Sequence, residues 1–169
     1  SIADGDYIDS NGISYQWTRG GQDISGATGS SYTLVQSDVG AVIVAVASYS
    51  DMEGNAHSVS SAATAAVANV NDSPTGAVTI TGTAVEDGVL TASNSLADED
   101  GMGAVTYTWS NGATGDTMTL AQSDVGSTIT VTASYTDAQG TAETMASAAT
   151  AAVANVNDSP TGSVTITGT

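Results

Sequence analysis

The chain has 169 residues, 40% of them hydrophobic, with 18 Asp and Glu against one Lys or Arg, a net charge of −17 and no Cys. That charge argues against nucleic acid and anionic membranes as partners, because no cationic surface exists to displace counterions from phosphates. One His, no Cys and no nucleophile–base–orienter set argue against an enzyme. The hydrophobic content argues against disorder.

The predicted elements come in chain order as short strands between turn signals, and they come more than once. Ser14-Tyr15-Gln16-Trp17 is followed by a polar, Gly-rich loop over residues 19–31, then Tyr32-Thr33-Leu34, the turn Ser37-Asp38-Val39-Gly40, and an apolar run over residues 41–47 of strand length. Residues 63–83 reappear at 149–169 with one substitution, Ala77 against Ser163. The offset is 149 − 63 = 86 residues, a domain-sized period that means tandem copies of one module. Trp17 matches Trp109 at an offset of 92, so copy one carries six extra residues within 19–31. Asp4 matches Asp98 at an offset of 94. Insertions confined to polar stretches are what loops tolerate and strands do not.

The full copy opens with the alternating Val78-Thr79-Ile80-Thr81, turned by Glu86-Asp87-Gly88, and a second strand begins at Val89. Asp98-Glu99-Asp100-Gly101 is an acidic loop. Val105, Tyr107 and Trp109 share one face of a third strand. Residues 111–116 are a loop, residues 118–120 a short strand, and residues 123–126 a turn. Ile129, Val131, Ala133 and Tyr135 alternate with Thr and Ser, the clearest half-buried strand in the chain. Asp137-Ala138-Gln139-Gly140 reads as a hairpin turn. The Ala-rich segment after it reads mostly as strand, with helix an alternative over residues 146–154. Trp17, Trp109, Tyr49 and Tyr135 read as core, with sugar-binding platforms the alternative; His57, matched by Glu143, reads as solvated, and Arg19 as exposed.

Seven short strands predict an all-β, antiparallel β-sandwich. The boundaries are 1–73 for a repeat lacking its first strands, 74–159 for a complete repeat and 160–169 for the first strand of a third, an excerpt of a linear array. A strict meander puts Glu86-Asp87 at the outgoing end, residues 98–100 and Asp124 at the incoming end, and Asp137 at the outgoing end. It would also return the chain to the incoming end, which is awkward for a linear array; a seventh strand or one sheet-crossing connection would repair it.

Trp109, then Leu120-x-x-x-Asp124-x-Gly126 before an alternating strand, resembles the immunoglobulin pattern of a core Trp and a D-x-G turn, and Trp17, Leu34, Asp38 and Gly40 repeat it. The cysteine pair of antibody domains is missing, and the short Trp-to-Asp spacing implies reduced middle strands. The ordered set NVNDSPTG, VEDG, SLADEDG, YTW, LAQSDVG and ASYTDAQG is similar to the tandem Ig-like repeats of giant bacterial surface adhesins of the RTX type. Asn69-Val70-Asn71-Asp72-Ser73-Pro74 resembles the cadherin interdomain calcium linker D-x-N-D-N-x-P. Asn71 and Asp72 match, Asn69 and Ser73 replace an Asp and an Asn, and one residue before Pro74 is missing. The second linker repeats it with Asn155, Asn157 and Asp158.

Every acidic residue of the second copy except Glu143 falls in a predicted turn or linker. Two carboxylates at about 5 Å cost roughly 3 kcal/mol at an effective dielectric near 20, so clusters make sense around a hard cation. Oxygen-only donors select Ca²⁺ over Zn²⁺ or Cu²⁺. The candidate ligands are Asp4, Asp6, Asn69, Asn71, Asp72, Glu86, Asp87, Asp98, Asp100, Asp137, Asn157 and Asp158, each with an ordinary turn role as its alternative; Asp38 and Asp124 read as turn residues.

The resemblance implies a structural extender of an extracellular adhesin, stiffened by calcium at its joints, with neighbouring repeats as partners and no insertion into a membrane. The alternatives are a ligand-binding adhesive module, with residues 19–31 the best place for a contact, and a subunit of a strand-exchanged filament.

Overall fold

The computed structural model describes residues 12–168, so the candidate ligands Asp4 and Asp6 lie outside the described residues. The chain divides into two compact units at Val70/Asn71. The described residues are all-β, with three small antiparallel sheets and two single 3-10 turns.

In the first unit, β1 (Ser14–Arg19), β2 (Gln22–Asp23), β3 (Ile43–Ser50) and β4 (Ala56–Ser60) form one sheet in the order β2-β1-β3-β4. The short strand β2 lies inside the copy-one insertion and folds back on β1 through Thr18↔Asp23 and Arg19↔Gln22. Among its described residues, Ile43, Ala47 and Tyr49 are the buried apolar side chains.

The second unit has two sheets. β5 (Val78–Thr81), β6 (Val89–Asn94) and β8 (Thr117–Thr119) form one, in the order β5-β6-β8. β7 (Thr106–Trp109), β9 (Val131–Thr136) and β10 (Ala142–Ala146) form the other, in the order β10-β9-β7. Val78, Leu90, Ala92 and Met118 from the first sheet and Trp109, Val131 and Ala133 from the second meet in one core with Leu120, Ile129 and Val153. The alternation expected over residues 129–135 is realised from Val131 on, where β9 begins: Val131, Ala133 and Tyr135 are buried, Thr132 and Ser134 half-buried and Thr136 exposed.

Trp109 is 1% exposed, but Trp17 is only half-buried, a correction to the expectation of two equivalent core residues. The polar ends do match: each indole N–H donates to a glycine carbonyl, Gly29 for Trp17 and Gly115 for Trp109, both at 2.9 Å. The difference is cover. Trp109 lies against a second sheet, and among the described residues Trp17 has none, only Tyr32 with its ring 5.8 Å away.

The Ala-rich segment is strand only through Ala146, and no helix forms in residues 146–154. Ser147 and Thr150 explain why the strand stops. Their hydroxyls accept the N–H groups of Val131 and Ile129 and donate to the next carbonyl along, replacing a regular ladder. Ser61 and Thr64 do the same to Ala45 and Ile43 in the first unit. Residues 160–168, expected as a first strand, form none: β5 is a strand because β6 pairs with it, and among the described residues no strand pairs with 160–168.

Asp38 and Asp124 hold the D-x-G turns. Asp124 Oδ2 accepts Ala121 N–H at 2.9 Å and Oδ1 accepts Asn111 Nδ2 at 3.0 Å. Those two bonds, against burial, hold the Asp124 carboxyl below its ordinary value. At Asp38 burial pushes upward, but Val35 N–H, Arg19 and Tyr32 more than reverse it. Arg19 is therefore not idle: it takes the place of Asn111, its Nε 2.7 Å from Asp38 Oδ1.

Candidate metal centre

The direction of each strand decides which carboxylates share an end of the second unit. β5 descends from the incoming linker, β6 returns and β7 descends. Residues 112–116 then climb back beside β7, through the Thr108↔Thr114 bridge and Gly115 N–H on the Tyr107 carbonyl. β8, antiparallel to β6, descends again. This extra reversal moves Asp124 to the outgoing end and Asp137 to the incoming end, correcting the strict meander. It is the sheet-crossing connection that lets the chain leave opposite to where it came in.

At the incoming end the linker lies on the acidic loop. Asp72 donates its backbone N–H to Asp100 Oδ2 at 2.7 Å, and Asp100 is 2% exposed. Asn71 Nδ2 donates to Glu143 Oε1 at 2.8 Å. Asp98 accepts Asp100 N–H on Oδ1 and the Tyr135 hydroxyl on Oδ2. The β9–β10 turn comes alongside, with Ala138 N–H on the Asp100 carbonyl at 3.2 Å. Burial, then the bond to Asp98, then the charges of Asp98, Glu143 and Asp137 hold the Tyr135 phenol well above its ordinary value.

Asp137 is the exceptional residue of this end. It is 6% exposed, and its Oδ1 accepts Gln139 N–H at 2.9 Å and Thr141 N–H at 2.7 Å, fixing the turn. Its Oδ2 is buried and has no hydrogen-bond partner. A buried unpaired carboxylate oxygen is costly, on the order of a few kcal/mol, so the site is polar, anionic and short of a positive or donating group. An oxygen-seeking cation fits that demand. Among the described residues no three His, Asp or Glu side chains already converge as a cage. A cation here would draw on main-chain and amide oxygens or water as well, which Ca²⁺ accepts more readily than Mg²⁺.

The outgoing end holds the other candidates. Glu86 is buried, and its Oε2 accepts Val156 N–H at 3.0 Å; its own N–H donates to the Ala154 carbonyl. Asp87 is exposed, at φ 61°, with its N–H on Leu120 carbonyl. Asn157 bonds locally, Nδ2 to Asp158 carbonyl at 3.3 Å, and Asp158 is exposed. In the first unit Asn69 Oδ1 accepts Gln36 Nε2 at 3.2 Å.

Two residues read as bystanders belong to the chemistry. His57 is not merely solvated: its Nε2 lies 3.1 Å from Asp51 Oδ2, and its ring stacks on Tyr49 at 5.3 Å. Glu143 is half-buried and accepts from the linker. The offset of 86 already paired Asp51 with Asp137 and His57 with Glu143. Following those pairs through the hairpin turn was the signal that could have found them.

Comparison of the sequence with protein-family models and with curated proteins found no match.

Proposed function

We propose that the chain is a structural extender: tandem Ig-like modules of an extracellular, bacterial cell-surface adhesin, with linkers stiffened by calcium. One observation carries this reading. Buried carboxylates at opposite ends of the second unit each accept a linker N–H, Asp100 that of Asp72 and Glu86 that of Val156. Val156 and Asp72 are the second and fourth residues of the same repeated Asn-Val-Asn-Asp segment. A linker whose backbone is committed to the module before it and the module after it serves as a joint, unlike a free Gly/Ser tether.

The residues that would hold the cation are Asn71, Asp72, Asp98, Asp100 and Asp137 where the linker arrives, and Glu86, Asp87, Asn157 and Asp158 where the next one leaves. A bound divalent cation supplies charge neutralisation to carboxylates that otherwise repel. The protein's own contribution is to hold the linker backbone in place through Asp100 and Glu86.

Extracellular sites of this kind fill at roughly 10⁻⁴ to 10⁻³ M. Small-angle scattering in millimolar calcium is expected to show a longer, narrower particle than in chelator, and melting to rise with calcium. Asp72→Ala is expected to abolish most of that difference with both units folded. Scattering indifferent to calcium would overturn the reading.

A further inference from the structure

The two hairpin turns at Asp51 and Asp137 are the same turn with one difference. In each, the aspartate N–H donates to the carbonyl four residues on, Asn55 at 3.0 Å and Thr141 at 2.9 Å. In each, the glycine N–H returns to the aspartate carbonyl, Gly54 at 3.1 Å and Gly140 at 3.3 Å. In each, Oδ1 accepts two main-chain N–H groups, from Glu53 and Asn55 or from Gln139 and Thr141. The second oxygen separates them. Asp51 Oδ2 accepts Asn55 Nδ2 at 2.9 Å and the His57 ring at 3.1 Å. A carboxylate only accepts, so the ring nitrogen facing it carries the proton. At Asp137 those two donors are replaced by Thr141 and Glu143, and Oδ2 is left buried and unpartnered.

The replacement is directional. Asn55 and His57 bring N–H donors to the turn; Thr141 brings none to Oδ2, and Glu143 brings another carboxylate. Glu143 stands directly across from Tyr135, as His57 does from Tyr49. Asp98 takes the Tyr135 hydroxyl on its Oδ2, so that donor is committed away from Asp137. The second oxygen of the first turn is closed by the protein's own donors; that of the second turn has none.

We propose that the β9–β10 turn takes a divalent cation at Asp137 Oδ2, and that the β3–β4 turn, whose equivalent oxygen is filled by Asn55 and His57, takes none. This deepens the calcium reading above and rests on it: two turns of one backbone geometry differ in cation dependence through two side chains. Ca²⁺ is the fitting ion, since carboxylate, main-chain and water oxygens complete its shell without strict geometry.

The test exchanges the donors between the turns in the 169-residue chain and counts bound calcium by isothermal titration with CaCl₂. Thr141→Asn with Glu143→His is expected to lose one calcium per chain; Asn55→Thr with His57→Glu is expected to gain one. Far-UV circular dichroism checks that each variant folds. Should the first exchange unfold the second unit, the gain in the reciprocal exchange decides. A wild-type chain that binds calcium with a count unmoved by either exchange overturns this proposal, a water at Oδ2 then being the occupant, and leaves the extender reading standing. A count that moves as expected while scattering ignores calcium supports this proposal and overturns the extender reading. A wild-type chain that binds no calcium overturns both.

Discussion

Asp100→Ala removes the acceptor that holds the incoming linker, and its effect can be worked from a single bond. Asp72 N–H meets Asp100 Oδ2 at 2.7 Å beside a carboxylate that is 2% exposed. Hydrogen bonds to charged groups contribute about 1.5–3 kcal/mol. If the Asp72 amide exchanges by a local opening that breaks this bond, its exchange should quicken on the order of 10- to 150-fold, at about 1.4 kcal/mol per tenfold. Amide hydrogen exchange followed by NMR reads this residue directly. The Ala138 amide, which bonds the Asp100 main-chain carbonyl and not its side chain, is the internal control and should change little. Asp100→Asn keeps a carbonyl acceptor and should give a smaller increase. An Asp72 amide that exchanges at the same rate in Asp100→Ala as in the parent would refute the claim that this carboxylate grips the linker.

Leu90 is fully buried between the two sheets of the second unit, so Leu90→Ala should cost about 2–5 kcal/mol. Calorimetry should show the second unit's transition falling by at least about 8 °C with the first unit's unmoved; a fall of only a degree or two would contradict the core described. The bonds from Asn55, then His57 and Glu53, hold the Asp51 carboxyl at about 2 against an ordinary 3.8. A carboxyl depressed on folding stabilises above its unfolded value and loses that contribution as pH falls through its folded one. The β3–β4 hairpin should therefore weaken between about pH 4 and pH 2, and the Asp51 carboxyl signal should titrate near pH 2 by NMR; titration near 4 would contradict the bonding.

The strands were legible because Thr and Ser alternate with Val, Ile, Ala and Tyr so regularly in residues 78–81, 105–109 and 129–135. The D-x-G turns were legible because Asp124 and Gly126 answer a local backbone demand, the Ala121 N–H to cap and a φ of 83° at the glycine. The ends of the unit were not. Their assignment turned on residues 112–116, a Gly-rich stretch that climbs beside β7 through only one bridge and carries no periodic pattern. One uncounted reversal exchanged the ends of Asp124 and Asp137. Among the candidate ligands, the sequence marked which residues are acidic and in turns. It could not mark which oxygens were already bonded, because that depends on Asn55, His57, Thr141 and Glu143 reaching across a hairpin.

The Ser/Thr latches that fasten residues 61–64 and 147–150 to their neighbouring strands carry a hazard for biogenesis. Both segments read Ser-Ala-Ala-Thr and make the same hydrogen bonds, so each is chemically able to close the other's sheet. Near-identical neighbours on one ribosome-tethered chain invite such misassembly. The hairpins just before the latches differ, and there a mistaken closure is penalised. The segment carrying Thr141 and Glu143, docked in the first unit, would strip Asp51 of both donors to its second oxygen and bring a like charge beside it. The divergence of two side chains thus penalises closure of the first sheet by the second copy's segment.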